Sequence, residues 1–311
     1  MKRRFNSVMI SLAVVITLCT EMIPSAGHYA AAGEQEIVVT EGVTVPCPQL
    51  DWATIRSLPN TGNADDPARP DFLLSPQEEK DLAESRARIE QWWAQHSSER
   101  TVDGPIAPGA LTSVYPYEYS IPIPVRPQET SYWCGVASTQ MVSDYQWGYT
   151  GSQSKYTQTT IAQAEGATLD GVSSAAIVTF MNTHENPSNT WTWTREQLPY
   201  ADGEVQAATT LFNIMLAQVQ MGEGTVMSLI TYGNGSDAWG EPYGLTGWNT
   251  SSQHFVAGDG LLLQSDNRHR VMYIDPWETS WAGGPDSLGQ HTIDAANMAH
   301  LMGLNTGFLV H

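Results

Sequence analysis

Hydrophobic and polar positions change period several times along the chain, and each change marks an element. Ser75-Pro76-Gln77-Glu78 has the form of a helix start: a hydroxyl cap, a proline in the first turn and a glutamate that can close a capping box. Leu82, Ile89, Trp93 and His96 then fall near one face, which predicts a helix over about 76–97 that docks its tryptophan-bearing side on the domain that follows. Tyr119 to Val125 alternates and runs into Pro127, the pattern of an edge strand or extended segment. A helical stripe through Met141, Val142 and Tyr145 covers Ser138 to Trp147, and Gly148 stops it. Thr157 to Ala164, Ser173 to Asn182 and Val205 to Gln220 have helical spacing, and Thr225 to Tyr232 is an apolar run short enough for a buried strand. His254 to Leu263, a turn at Ser265-Asp266-Asn267, and Val271 to Ile274 predict a hairpin. His291 and His300 fall in a helix-and-loop tail expected to serve packing or solvent. Helices followed by antiparallel strands define an α+β fold.

The N-terminal third has a different texture. Lys2, Arg3 and Arg4 precede an apolar run from Val8 to Leu18, and Ala30-Ala31-Ala32 offers a cleavage site before Gly33. This is the pattern of a secretory signal peptide over 1–32, with an apolar run too short to span a bilayer. Bulky Leu18 before Cys19 argues against a lipoprotein site. The exported chain is then expected to be extracellular and free of membrane. Residues 33–113 form a leader or pro-region with one helix, rich in turn formers from Asn60 to Pro70, and 114–311 form the catalytic domain. The formal charge is −19. Such a surface repels phosphate backbones, which excludes nucleic acid as a natural partner. After signal removal two cysteines remain, Cys47 and Cys134. That is too few for a disulfide scaffold and no metal-binding pattern, so either they bridge or Cys134 is kept for its reactivity.

Gln128-Glu-Thr-Ser-Tyr-Trp-Cys134-Gly135 carries the sharpest chemical signal. A thiol attacks well only as thiolate, and a cysteine entering a helix N-terminus is stabilised in that form by unpaired amides and the macrodipole. The same amides can bind an oxyanion, and Gln128, six positions upstream, is a suitable second donor. A nucleophilic cysteine also needs a base and the base an orienting acceptor. His254 opens one predicted strand and Asp275 closes its hairpin neighbour 21 positions later, so the two can face each other at a sheet edge.

The stretch PVRPQETSYWCGVASTQMVSDYQWG, followed by Gln163, Gly171, Gly224-Thr-Val-Met-Ser-Leu, SQHFVAGDG and YIDPW, resembles the bacteriocin-processing (double-glycine leader) peptidases and their stand-alone relatives over about residues 118–280. Those are papain-like cysteine peptidases. The resemblance implies Cys134 as nucleophile, Gln128 as oxyanion residue, His254 as base and Asp275 as its orienter, acting on a peptide or protein substrate with no metal or organic cofactor. It also suggests that 33–113 is removable, since papain-like enzymes are often made latent. Val136 replaces the proline common after Cys-Gly in those relatives, and no transporter segment is present, so their substrate specificity does not carry over. A catalytically silent binding module on the same scaffold, and acyl transfer to an amine, are the alternatives. Gly171-Val-Ser-Ser-Ala175 lacks the final glycine of a serine nucleophile elbow and is expected to be a helix cap through Ser173 or Ser174. Among the eleven tryptophans, Trp277 and Trp281 are expected nearest the site. Trp191, Trp193, Trp239 and Trp248 fit packing more simply than a cleft wall.

Overall fold

The computed structural model describes residues 52–60, 62–96, 117–184, 192–236, 242–263, 269–278, 285–305 and 307–311. The predicted signal peptide, Cys47, the 265–267 turn, Trp191, Trp239 and Trp281 lie outside them. In chain order the described elements are α1 (Trp52–Ser57), α2 (Pro76–Gln95), β1 (Tyr117–Ser120), α3 (Cys134–Gln146), α4 (Gln158–Glu165), α5 (Ser174–His184) and β2 (Arg195–Gln197). After a 3-10 turn (Tyr200–Asp202) come α6 (Glu204–Gln220), β3 (Thr225–Ile230), β4 (Tyr232–Ser236), β5 (Pro242–Gly244), β6 (Gln253–Leu263), β7 (His269–Asp275), β8 (Gly289–Asp294), α7 (Ala295–Leu304) and β9 (Phe308–Val310).

One antiparallel sheet in the order β2-β9-β3-β6-β7-β8 forms the centre, and β1 pairs with the far half of β6 beyond the end of β3. Helices cover both faces. Val226, Phe255, Ala257, Ile274 and Val310 pack with residues of α3, α4 and α5, while their neighbours Met227, Val256, Tyr273 and Leu309 pack with α2, α6 and α7. This period of two on strands buried from both sides explains why Thr225-Val-Met-Ser-Leu-Ile230 is buried at every position and shows no polar alternation. No helix among the described residues is long and apolar enough to cross a membrane.

The capping box of α2 is as the sequence predicts. Ser75 Oγ accepts from the Glu78 amide at 3.2 Å, Glu78 Oε2 accepts from the Ser75 amide at 2.7 Å, and Leu82, Ile89 and Trp93 are buried, joined by Trp92. The leader holds a second helix, α1, in addition to the one the sequence predicts, and it docks on the domain that follows: Ile55, Trp92 and Trp93 belong to the main core. Arg195, fully buried on β2, fastens it by donating to Glu78 Oε1 (2.9 Å), the carbonyls of Asp71 (2.6 Å) and Leu73 (3.1 Å), and Ser174 Oγ (3.3 Å). A guanidinium is costly to bury unless its donors are met, so this clip requires the leader in place. The tail is not helix and loop alone: His291 lies on β8, and β9 follows α7, which carries His300 stacked on Tyr243 with ring centroids 3.9 Å apart. The edge reading of Tyr119 to Val125 is shortened, because Pro122 and Pro124 have no amide to donate and β1 ends at Ser120.

Candidate active site

Cys134 is the first residue of α3 and is fully buried. Every residue from Cys134 to Asp144 is buried, so the helix is driven deep between α4, α5 and the sheet rather than lying on it. Gly135 permits the approach: a Cβ there would overlap Val172 and lie 3.0 Å from the Phe255 ring. At this separation the Phe255 backbone amide donates to Cys134 Sγ at 3.3 Å. The sulfur therefore has a strand amide and the N-terminal end of α3 beside it.

His254 sits at the start of β6, one residue from that amide, and Asp275 ends β7. Asp275 Oδ1 meets His254 Nε2 at 2.9 Å, with both side chains excluded from solvent. The imidazole also hydrogen-bonds Cys134. Burial works against a charged ring, but the charges of Asp275 and Cys134 and the hydrogen bonds to both outweigh it and push the His254 pKa up to about 10. Burial likewise opposes ionisation of Asp275. The His254 charge and donors from His254, Trp248 Nε1 (2.7 Å) and the Trp277 amide (2.8 Å) nevertheless hold it below the usual carboxylate range. The predicted nucleophile, base and orienter thus form one continuous hydrogen-bonded chain.

Gln128 is buried close by, its backbone amide donating at 2.8 Å to the carbonyl of Pro276, next to Asp275. Its side-chain amide donates to Thr130 O at 2.8 Å, and its Oε1 is buried without a hydrogen-bond partner. Gln158 on α4 holds the backbone on both sides of it, donating to Pro127 O (2.7 Å) and accepting from the Glu129 amide (2.8 Å). Arg126 bonds Asp144 of α3 at 2.7 Å, which fixes this segment against the cysteine helix. Ser173 Oγ caps α5 by accepting from the Ala176 amide at 3.3 Å, as the sequence predicts for this pair of serines.

Trp277 is near the site, as expected. Trp248 is the residue that sequence reasoning missed. Its indole contacts His254 and Trp277, with ring centroids at 5.1 and 5.4 Å, besides donating to Asp275. Trp248→Phe keeps an aromatic ring and removes only the donor. It is expected to lower kcat/KM about tenfold with KM nearly unchanged, because a hydrogen bond to a buried charge orients the His254 acceptor. With one donor gone Asp275 protonates more readily, so the acid limb of the pH profile moves to higher pH. Steady-state kinetics against pH check both.

A helix bearing a cysteine at its start, packed on an antiparallel sheet bearing histidine and aspartate, defines the papain-like cysteine peptidase fold. The chain belongs to the Peptidase_C39 like family, whose model matches residues 120–290. That span includes Gln128, Cys134, His254 and Asp275 and leaves α1 and α2 outside. Membership of this family suggests a cysteine peptidase activity. A search of curated proteins found no match.

Proposed function

We propose that the chain is a secreted cysteine peptidase that cleaves peptide or related amide bonds through Cys134, His254 and Asp275. The observation that carries the reading is the unbroken chain from Asp275 Oδ1 through the His254 ring to a sulfur at a helix N-terminus. His254 takes the thiol proton, and the thiolate attacks the substrate carbonyl carbon. The Cys134 amide and the second amide hydrogen of Gln128 Nε2 receive the oxyanion. As the tetrahedral adduct collapses, the C–N bond breaks and His254 gives its proton to the leaving amine, which leaves a thioester on Cys134. Water, deprotonated by His254, then displaces the sulfur and releases the acid. Residues 1–32 serve as the export signal, 33–113 as a leader and 114–311 as the catalytic domain, with a peptide or protein as substrate.

The test is a fluorogenic peptide library, applied to the protein as secreted and after limited proteolysis, alongside an electrophilic thiol probe with peptide mapping. Hydrolysis that disappears as Cys134 is modified is the expected result. Modification of Cys134 with no hydrolysis in either preparation would reject the peptidase reading in favour of a silent binding scaffold.

A further inference from the structure

Cys134, His254 and Asp275 are all shut off from solvent, a closed state in which no peptide bond can reach the sulfur. Pro59–Asn60 and Gly62–Asp65, which precede the family-matched region, lie against the two sides of the site. On the histidine side, the Pro59 carbonyl accepts from the Gln253 amide (2.9 Å) and Ser252 Oγ (2.7 Å), the two residues before His254. On the cysteine side, the Gly62 carbonyl accepts from the Val172 amide (3.0 Å), and the Ala64 amide donates to Val172 O (2.7 Å). Gly62 itself lies over the start of α3. A Cβ there would collide with the Tyr132 carbonyl and sit 2.9 Å from the Cys134 amide nitrogen, and its φ of +127° is one that side chains disfavour.

From this geometry, and resting on the peptidase reading above, we propose that Pro59–Asn60 and Gly62–Asp65 form a built-in strap that occupies the substrate cleft and keeps the chain latent. Its contacts with Gln253 and Val172 are parallel main-chain bridges, the kind of bond any extended peptide backbone would need from the same walls. Strap and substrate therefore compete for the same donors and acceptors. The Pro59 and Gly62 carbonyls are engaged by those walls rather than offered to the sulfur, which explains how the strap escapes cleavage at these two positions.

Its shape is locked from within and at both ends. Asn60 Oδ1 accepts from the Gly62 and Asn63 amides (2.8 Å each), and Asn60 Nδ2 donates to Asn63 O (2.8 Å) and Asp170 O (3.0 Å). Asn63 is buried and donates to Ser228 Oγ at 2.7 Å. Asp65 Oδ1 accepts from the Ser174 amide (2.8 Å) and hydroxyl (2.9 Å) at the start of α5. Upstream, Gln253 Nε2 donates to Ile55 O of α1 at 3.1 Å.

The experiment is the rate of Cys134 alkylation by iodoacetamide at neutral pH, followed by peptide mapping, in the full exported chain and in Asn60→Ala and Gly62→Val. Alkylation of the wild type at least tenfold slower than of either variant is the expected result. Equal rates would overturn the strap. Gly62→Val drives a side chain into the Tyr132 carbonyl; should it fail to fold, Asn60→Ala, which alters a partly exposed side chain, decides alone. Peptide hydrolysis read on the same samples separates the two ideas. Fast alkylation with hydrolysis in the wild type sinks the strap and keeps the peptidase. Slow alkylation in the wild type, fast in the variants, with hydrolysis in none of them, keeps the strap and sinks the peptidase.

Discussion

Cys134→Ala is expected to bring peptide hydrolysis down by about 10⁴-fold or more, because the covalent step has no other nucleophile and groups acting as a unit fail together. The fold should survive. The change removes one buried sulfur from the first turn of α3, where Gly135, Val172 and Phe255 already pack closely, and a loss of about 1 kcal/mol moves a melting midpoint by only a few degrees. The imidazole supplies a second readout. Cys134 contributes to the raised pKa of His254, after Asp275, so the His254 titration falls from about 10 in the variant but stays elevated by Asp275. Activity assay, thermal melt and imidazole NMR on the same protein test all three points.

Asp275→Ala is the more damaging change to the molecule as a whole. It strips the acceptor from His254 Nε2, Trp248 Nε1 and the Trp277 amide at once, all within a buried cluster. Leaving buried donors and a buried ring unmatched costs about 3–5 kcal/mol, and the misplaced base lowers kcat by about 10²–10⁴-fold. The pH dependence carries a sign. The folded pKa of His254, about 10, lies above its ordinary 6.5, so the pair's stabilisation is complete below about pH 6.5 and is lost as pH rises through about 10. Asp275 lies below its ordinary 3.8, so its contribution is present above that value and lost on further acidification. The gap in Tm between wild type and variant should therefore be widest between about pH 4 and 6.5 and close toward pH 10. A gap independent of pH would mean that Asp275 supports the fold without interacting with a charged His254.

The parts of the site legible in the sequence are those whose chemistry is written in side chains. Cys134 directly before a helical stripe, His254 and Asp275 at the ends of a hairpin, and Gln128 upstream each carry a residue type suited to one step, and the structure brings them together. Trp248 was not legible, because nothing in its flanking residues distinguishes an indole that donates to a carboxylate from one that only fills space. The strap was hidden for a different reason. Its grip on Gln253 and Val172 is main chain to main chain, and such bonds leave no trace in residue type except at Gly62 and Asn60. In the fold, α2 was legible from its capping box, but β9 has three residues, too few to display a period. α7 is buried nearly all round, with Asn297 and His300 buried among its apolar residues, so it shows no amphipathic stripe and the tail offered no pattern from which to place β8 and β9 around it.

The position of β9 in the sheet bears on when this protein can exist as a folded object. β9 follows every other described strand, yet it lies between β2 and β3 rather than at an edge. As the polypeptide emerges from the ribosome, the platform for His254 lacks an interior member until residues 308–310 have been made. Contacts this distant along the chain form slowly. Assembly of the sheet that carries His254 next to Cys134 thus waits on residues far downstream of both.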